Sequence, residues 1–129
     1  MRKQSYHNQP TDDVLETIRD LVILKRKGDF EAANRGYIIL AKQEMDDLHN
    51  YPYVLKSWAK IIICLGSYDV AAEKMAHAAK LFESNNNASE AWQCNDQMQT
   101  ILNRNRNKDD FCDYVRAVSA GLIDLSDSW

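Results

Sequence analysis

Three histidines, three cysteines and three adjacent acid pairs are the obvious chemistry-bearing groups of this 129-residue chain. A structural or catalytic metal needs three or four such ligands at ordered spacings. His7 lies in the polar start of the chain, His49 at an expected helix end, and His77 four residues after Glu73 on the same expected helix face. Neither a His-x-x-x-His nor a Glu-x-x-His motif occurs, so the di-iron bundle pattern is missing. Asp46 and His49 come nearest in spacing, and one pair is not a site. Asp12-Asp13 and Asp109-Asp110 read as helix starts, where acids suit the positive end of the dipole. Asp46-Asp47 reads as a solvated helix end. Cys64 and Cys94 have apolar neighbours and read as small core fillers, while Cys112 stands beside acids, which disfavour a thiolate. No Gly-x-Ser-x-Gly and no phosphate-cradling glycine loop is present. The expectation is no catalytic site, no metal and no cofactor.

Composition narrows the class. A formal charge of −3 and a pI near 5.6 argue against a general nucleic-acid binder, which needs a basic excess. The stretch Asn103–Asn107, with Arg104 and Arg106, is basic but has no aromatic neighbours for base stacking. An odd cysteine count without a CxxC pair fits free thiols in a reducing compartment. The opening MRKQSYHNQP has no apolar core of a signal peptide, and no apolar run is long enough to span a bilayer. These features predict a cytoplasmic protein with a flexible lead-in over 1–10 and one domain over 11–129.

Apolar residues recur at steps of three and four, which predicts an all-α chain of about six helices. Thr11 caps the first, with Val14, Leu15, Ile18, Leu21, Val22 and Leu24 inward and Lys25, Arg26 and Lys27 in its last turn. Asp29 caps the second, whose face is Phe30, Ala33, Tyr37, Leu40, Ala41, Met45 and Leu48, ending near His49-Asn50. Pro52 opens the third at a favoured first-turn position. Its apolar residues Val54, Leu55, Trp58, Ala59, Ile61, Ile62, Ile63 and Leu65 go most of the way round, so it should be covered on more than one side. Ser67 caps the fourth, with Tyr68, Ala71, Ala72, Met75, Ala78, Ala79 and Phe82. The fifth follows a capping-box-like Asn87/Glu90 pair and carries Ala91, Trp92, Met98, Ile101 and Leu102. The sixth starts at Asp109 or Asp110 and carries Phe111, Tyr114, Val115, Val118, Leu122 and Leu125. Short connections force antiparallel neighbours, hence three helical hairpins.

One phrase occurs twice, GDFEAA at 28–33 and GSYDVA at 66–71, 38 residues apart. The glycine stops a helix, the polar residue caps the next, the aromatic wedges the angle and the alanine lets the helices touch. This resembles the tetratricopeptide repeat (TPR), whose helix pairs turn at a Gly-Asp/Ser-Tyr/Phe-x-x-Ala phrase. In the second unit Trp58, Ala59 and Ile62 fall at the family's Leu-Gly and Tyr positions. The 38-residue offset departs from the family's period of about 34. A compact bundle of five or six helices is the alternative.

The resemblance implies a TPR-like superhelix whose first helices line a concave groove for an extended peptide or another chain. By position the groove residues are Lys25 and Arg26, with Leu15, Ile18 and Val22, from the first unit. The second unit supplies Tyr53, Lys56, Lys60 and Ile63, and the fifth helix Gln93, Gln97 and Arg104. The cations favour an acidic segment or a terminal carboxylate. The same side chains are equally explained as a helix end and a solvated edge. Lys60 stands where the family's clamp for acidic tails has an asparagine, which puts that activity in doubt. Self-association through the sixth helix, giving a homodimer, and a metal-binding helical enzyme are the further alternatives.

Overall fold

The computed structural model describes residues 9–104, and these form five α-helices with no strand among them. They are α1 (Asp12–Arg26), α2 (Phe30–Glu44), α3 (Tyr51–Cys64), α4 (Tyr68–Ser84) and α5 (Ala88–Arg104). The sixth helix expected from 109 onward lies outside the described residues, as does the start of the lead-in.

Each helix packs on the next in chain order, and α1 also reaches α3. The apolar stripes read from the spacing account for the core. Val14, Ile18 and Leu21 of α1 meet Ala33, Tyr37, Leu40 and Ala41 of α2, together with Val54 and Ile61 of α3. The opposite side of α3 presents Leu55, Ala59, Ile62 and Ile63 to Ala71, Ala72, Met75, Ala78, Ala79 and Phe82 of α4, with Ala91, Cys94 and Ile101 of α5. α3 is therefore the shared wall of two cores, as its nearly all-round apolar surface requires. Cys64 and Cys94 are both buried within the second core.

Three of the four connections use one device. After α1, the N–H of Gly28 bonds Lys25 O and that of Asp29 bonds Leu24 O. Gly66 and Ser67 repeat this on Ile63 and Ile62, and Asn86 and Asn87 on Glu83 and Phe82. This is the Schellman ending, whose turning residue must be left-handed. Gly28, Gly66 and Asn86 have φ of 83°, 87° and 61°. In each case the next helix then opens with a buried alanine (Ala33, Ala71 or Ala91) donating to the cap residue's carbonyl. The twice-written phrase thus has a third, cryptic copy, Asn86–Ala91, in which asparagine takes the glycine's place. Since this copy joins α4 to α5, the phrase serves both the joints within the expected hairpins and one between them, while the α2–α3 joint is built differently.

Several expectations need correction. α2 stops at Glu44 rather than near His49-Asn50, which leaves Met45 and Leu48 on the surface at 56% and 62% exposure. Asp47 causes the reversal, since its Oδ1 accepts the backbone N–H groups of His49 and Asn50 and holds a tight turn. Asp29 does cap α2, through Ala32 N, whereas Thr11 and Ser67 make no side-chain cap bond. Trp92 and Leu102, expected inside, face outward from α5.

The α2–α3 turn is tied to the start of α1 by a buried polar cluster. Asn50, fully buried, accepts the Thr11 backbone N–H (2.9 Å) and donates from Nδ2 to Thr11 Oγ1 (2.9 Å) and Glu44 Oε1 (3.2 Å). His49 Nε2 donates to the Gln9 carbonyl at 2.9 Å, so the end of the lead-in is seated on the same turn.

Candidate partner-binding face

α3 carries the residues that the groove expectation emphasised, and each takes a different environment. Lys56 is one turn into the helix. Its Nζ bonds Glu90 Oε2 at 2.8 Å and Gln93 Oε1 at 3.1 Å, both on α5. Lys60 stands one turn further along the same face, half-buried. Both ammonium groups act on the buried thiol of Cys94. Burial pushes that thiol up to about 11, the two lysines pull it down and Glu90 pushes it up. A thiol so placed is a packed neutral group, not a nucleophile.

Tyr53 is buried, with its ring 4.8 Å from Phe82 and edge-on to it. Its hydroxyl accepts Asn87 Nδ2 at 3.3 Å. Burial first, and then the Glu90 charge, push the phenol up to about 12. Tyr53 therefore contributes an interior strut between the α3 start and the α4–α5 turn. Ile63 is wholly buried in the second core and offers no surface. Lys25 is buried at the end of α1, whereas Arg26 beside it is exposed. Of the supporting residues, Ile18 is buried, Leu15 and Val22 are half-buried, and Gln93 is exposed and engaged by Lys56. The structure thus brings Lys56, Lys60 and Gln93 to one face between α3 and α5, leaves Arg26 at the far end of α1, and withdraws Tyr53, Ile63 and Lys25 into the interior.

Glu90 is the residue that sequence reasoning undervalued. The Asn87/Glu90 spacing suggested a reciprocal cap, and half of it forms, with Asn87 Oδ1 accepting Glu90 N at 3.3 Å. The Glu90 carboxylate instead turns across to Lys56. That partner is 34 residues away, and no local spacing signals it.

The opposite side of α3 holds a second polar arrangement. Trp58 Nε1 donates to Asn34 Oδ1 of α2 at 2.8 Å, and Lys74 Nζ of α4 lies 4.5 Å from the ring centre. His77, expected to be a surface partner of Glu73, stands edge-on to Tyr51 at 5.8 Å. Among the described residues no three His, Cys, Asp or Glu side chains gather at metal-binding distances, and no helix is long and apolar enough to cross a membrane.

No family model matches the chain, and no curated protein or solved structure matches it either. The five-helix, all-α architecture is compatible with a helical repeat.

Proposed function

We propose that the chain is a non-catalytic protein- or peptide-binding module of TPR-like build. In this reading it is a stack of helical hairpins whose first helices, α1, α3 and α5, share one partner-facing side. The observation that carries the reading is their register. The start of α1 is bonded to the start of α3 through Thr11 and Asn50, and the second turn of α3 is bonded to the first turn of α5 through Lys56 and Glu90. Odd-numbered helices that begin side by side line a common surface, which is how stacked repeats make a groove. The cations Arg26, Lys56 and Lys60, with the amide of Gln93, suit an acidic peptide or a terminal carboxylate.

Selection of displayed random peptides on the purified full-length chain tests this. The expected result is enrichment of peptides rich in Asp and Glu whose binding weakens about tenfold in Lys60→Glu, one lost charge-assisted contact. Circular dichroism of the variant checks that it remains folded. Failure to enrich any peptide, or equal binding by the variant, overturns the reading.

A further inference from the structure

α2 and α4 both flank α3, and neither packs extensively on the other. Between them runs a crevice floored by α3. Phe30 of α2 and Tyr51 and Trp58 of α3 are each packed against both cores yet only partly buried. Side chains shared by two cores and still open to solvent lie at the seam where the cores meet. Their contacts fix which seam this is. Trp58 reaches Asn34 of α2 and Lys74 of α4, and Tyr51 meets His77 of α4. The seam therefore opens between α2 and α4, on the side of α3 turned away from Lys56 and α5. Val70, one turn before Lys74 on the same strip of α4, adds an apolar rim at 42% exposure.

None of the residues that meet across this crevice is acidic. Among the described residues the Lys74 ammonium meets the Trp58 ring, 4.5 Å from its centre, and no carboxylate. Asp and Glu outnumber Lys and Arg by 19 to 16 in this chain, so intramolecular acids are not scarce. A lysine resting on an aromatic face instead is a cation that a guest can claim, because a charge-assisted bond to a carboxylate is stronger than a part-exposed cation–π contact. Across the crevice, Asn34 Oδ1 is taken by Trp58 Nε1, so its remaining hydrogen-bonding end is the Nδ2 donor. Donors on both walls and an aromatic floor call for a guest that is apolar and acidic at once. Tyr51 and Trp58 stand seven residues apart on α3, two helical turns, which is about 10 Å. A helical guest repeats that spacing at its own i and i+7.

We propose that the crevice between α2 and α4 binds an amphipathic helix of a partner protein. Two apolar side chains of that helix lie on Tyr51 and Trp58, and an acidic residue between them draws Lys74 off the indole ring. This site is separate from the α1–α3–α5 side and does not depend on it.

Displayed random peptides selected on the full-length chain and counter-selected on Lys74→Glu test the proposal. The expected winners carry apolar residues at i and i+7 with an acid at i+3 or i+4. Their affinity falls about tenfold in Lys74→Glu and is unchanged in Lys60→Glu. Changing the peptide's acid to lysine restores binding to Lys74→Glu, which a merely unfolded variant could not do. In the chain labelled with 5-fluorotryptophan, the Trp58 resonance, identified by Trp58→Phe, shifts on binding while that of Trp92 stays. Three results overturn the proposal: no Lys74-dependent peptide, a bound peptide that leaves Trp58 unmoved, or winners whose apolar residues alternate at every second position, the mark of an extended guest. Peptides that need Lys60 but not Lys74 overturn it too, and leave the α1–α3–α5 reading standing.

Discussion

Replacing Asn50 with alanine is the most informative single change in the described structure. The side chain is fully buried and makes bonds that join three segments. Its Oδ1 satisfies the Thr11 N–H, and its Nδ2 serves Thr11 Oγ1, Glu44 Oε1 and Asp47 Oδ2. Alanine leaves the Thr11 N–H buried without its acceptor, which costs about 1–3 kcal/mol. Glu44, itself 3% exposed, loses one donor, which adds about 1 kcal/mol. The sum, about 3 kcal/mol, is a large part of the ~5–15 kcal/mol that holds a domain together. Urea unfolding followed by circular dichroism is the assay. With a slope of about 1–3 kcal/mol/M, the midpoint should fall by at least about 1 M with the slope unchanged. Asn50→Asp keeps the acceptor for Thr11 but sets a third carboxylate beside Glu44 and Asp47. Its folded-state pKa is raised, so its deficit against the parent should shrink as pH falls through the carboxylate range. A loss below about 0.5 kcal/mol in Asn50→Ala would refute the reasoning, since that is the range of surface changes that disturb no buried bond.

Three further outcomes follow from the geometry. Gly66→Ala forces a Cβ into a left-handed turn with φ of 87° and should cost about 1–2 kcal/mol in chemical denaturation, whereas Asn86→Gly should be nearly neutral. Lys56→Ala and Glu90→Ala should each cost about 1 kcal/mol, because the pair is neither fully exposed nor fully buried. The exchange Lys56→Glu with Glu90→Lys should recover part of that loss in a double-mutant cycle. Stability should also fall as pH rises from about 9 to about 12. Cys94 and Tyr53 keep their protons in the folded chain up to about 11 and 12, while the unfolded chain releases them earlier, so the unfolded state binds fewer protons in that window. Thermal melts across the range should show a shallower decline in Cys94→Ala.

Helix identity was legible where an apolar stripe could be read locally. The inward faces of α1, α3 and α4, the buried thiols, and the central place of α3 all follow from steps of three and four. Misplaced residues mark where a local rule met a longer-range partner. Periodicity carried α2 on through Met45 and Leu48, but Asp47 binds two backbone N–H groups and ends the helix sooner. On α5, the spacing could not tell which of two apolar strips faces α4, and it put Trp92 inside. The third joint is hidden in the sequence because Asn86 serves the left-handed turn as Gly28 and Gly66 do, with no aromatic after it. Gly36 carries no local signal either, yet a Cβ there would run into Leu21 Cδ2 of α1, so the leucine side chain would have to shift. The candidate face was the least legible part. Whether a lysine is buried like Lys25, paired like Lys56 or exposed like its neighbour Arg26 depends on residues far away in sequence.

The Lys56–Glu90 bond has a consequence for any acidic guest. Glu90 is a carboxylate on a short tether, already seated 2.8 Å from the ammonium and so present at a high effective concentration. An incoming carboxylate must displace it or share the lysine with it. A lone, weakly acidic side chain is outcompeted by this built-in rival. A guest that brings several carboxylates, reaching Lys60 as well, is not. If the proposed acidic guest binds here, the internal ion pair works as a threshold, screening out casual acidic contacts and admitting those that engage more than one point on α3.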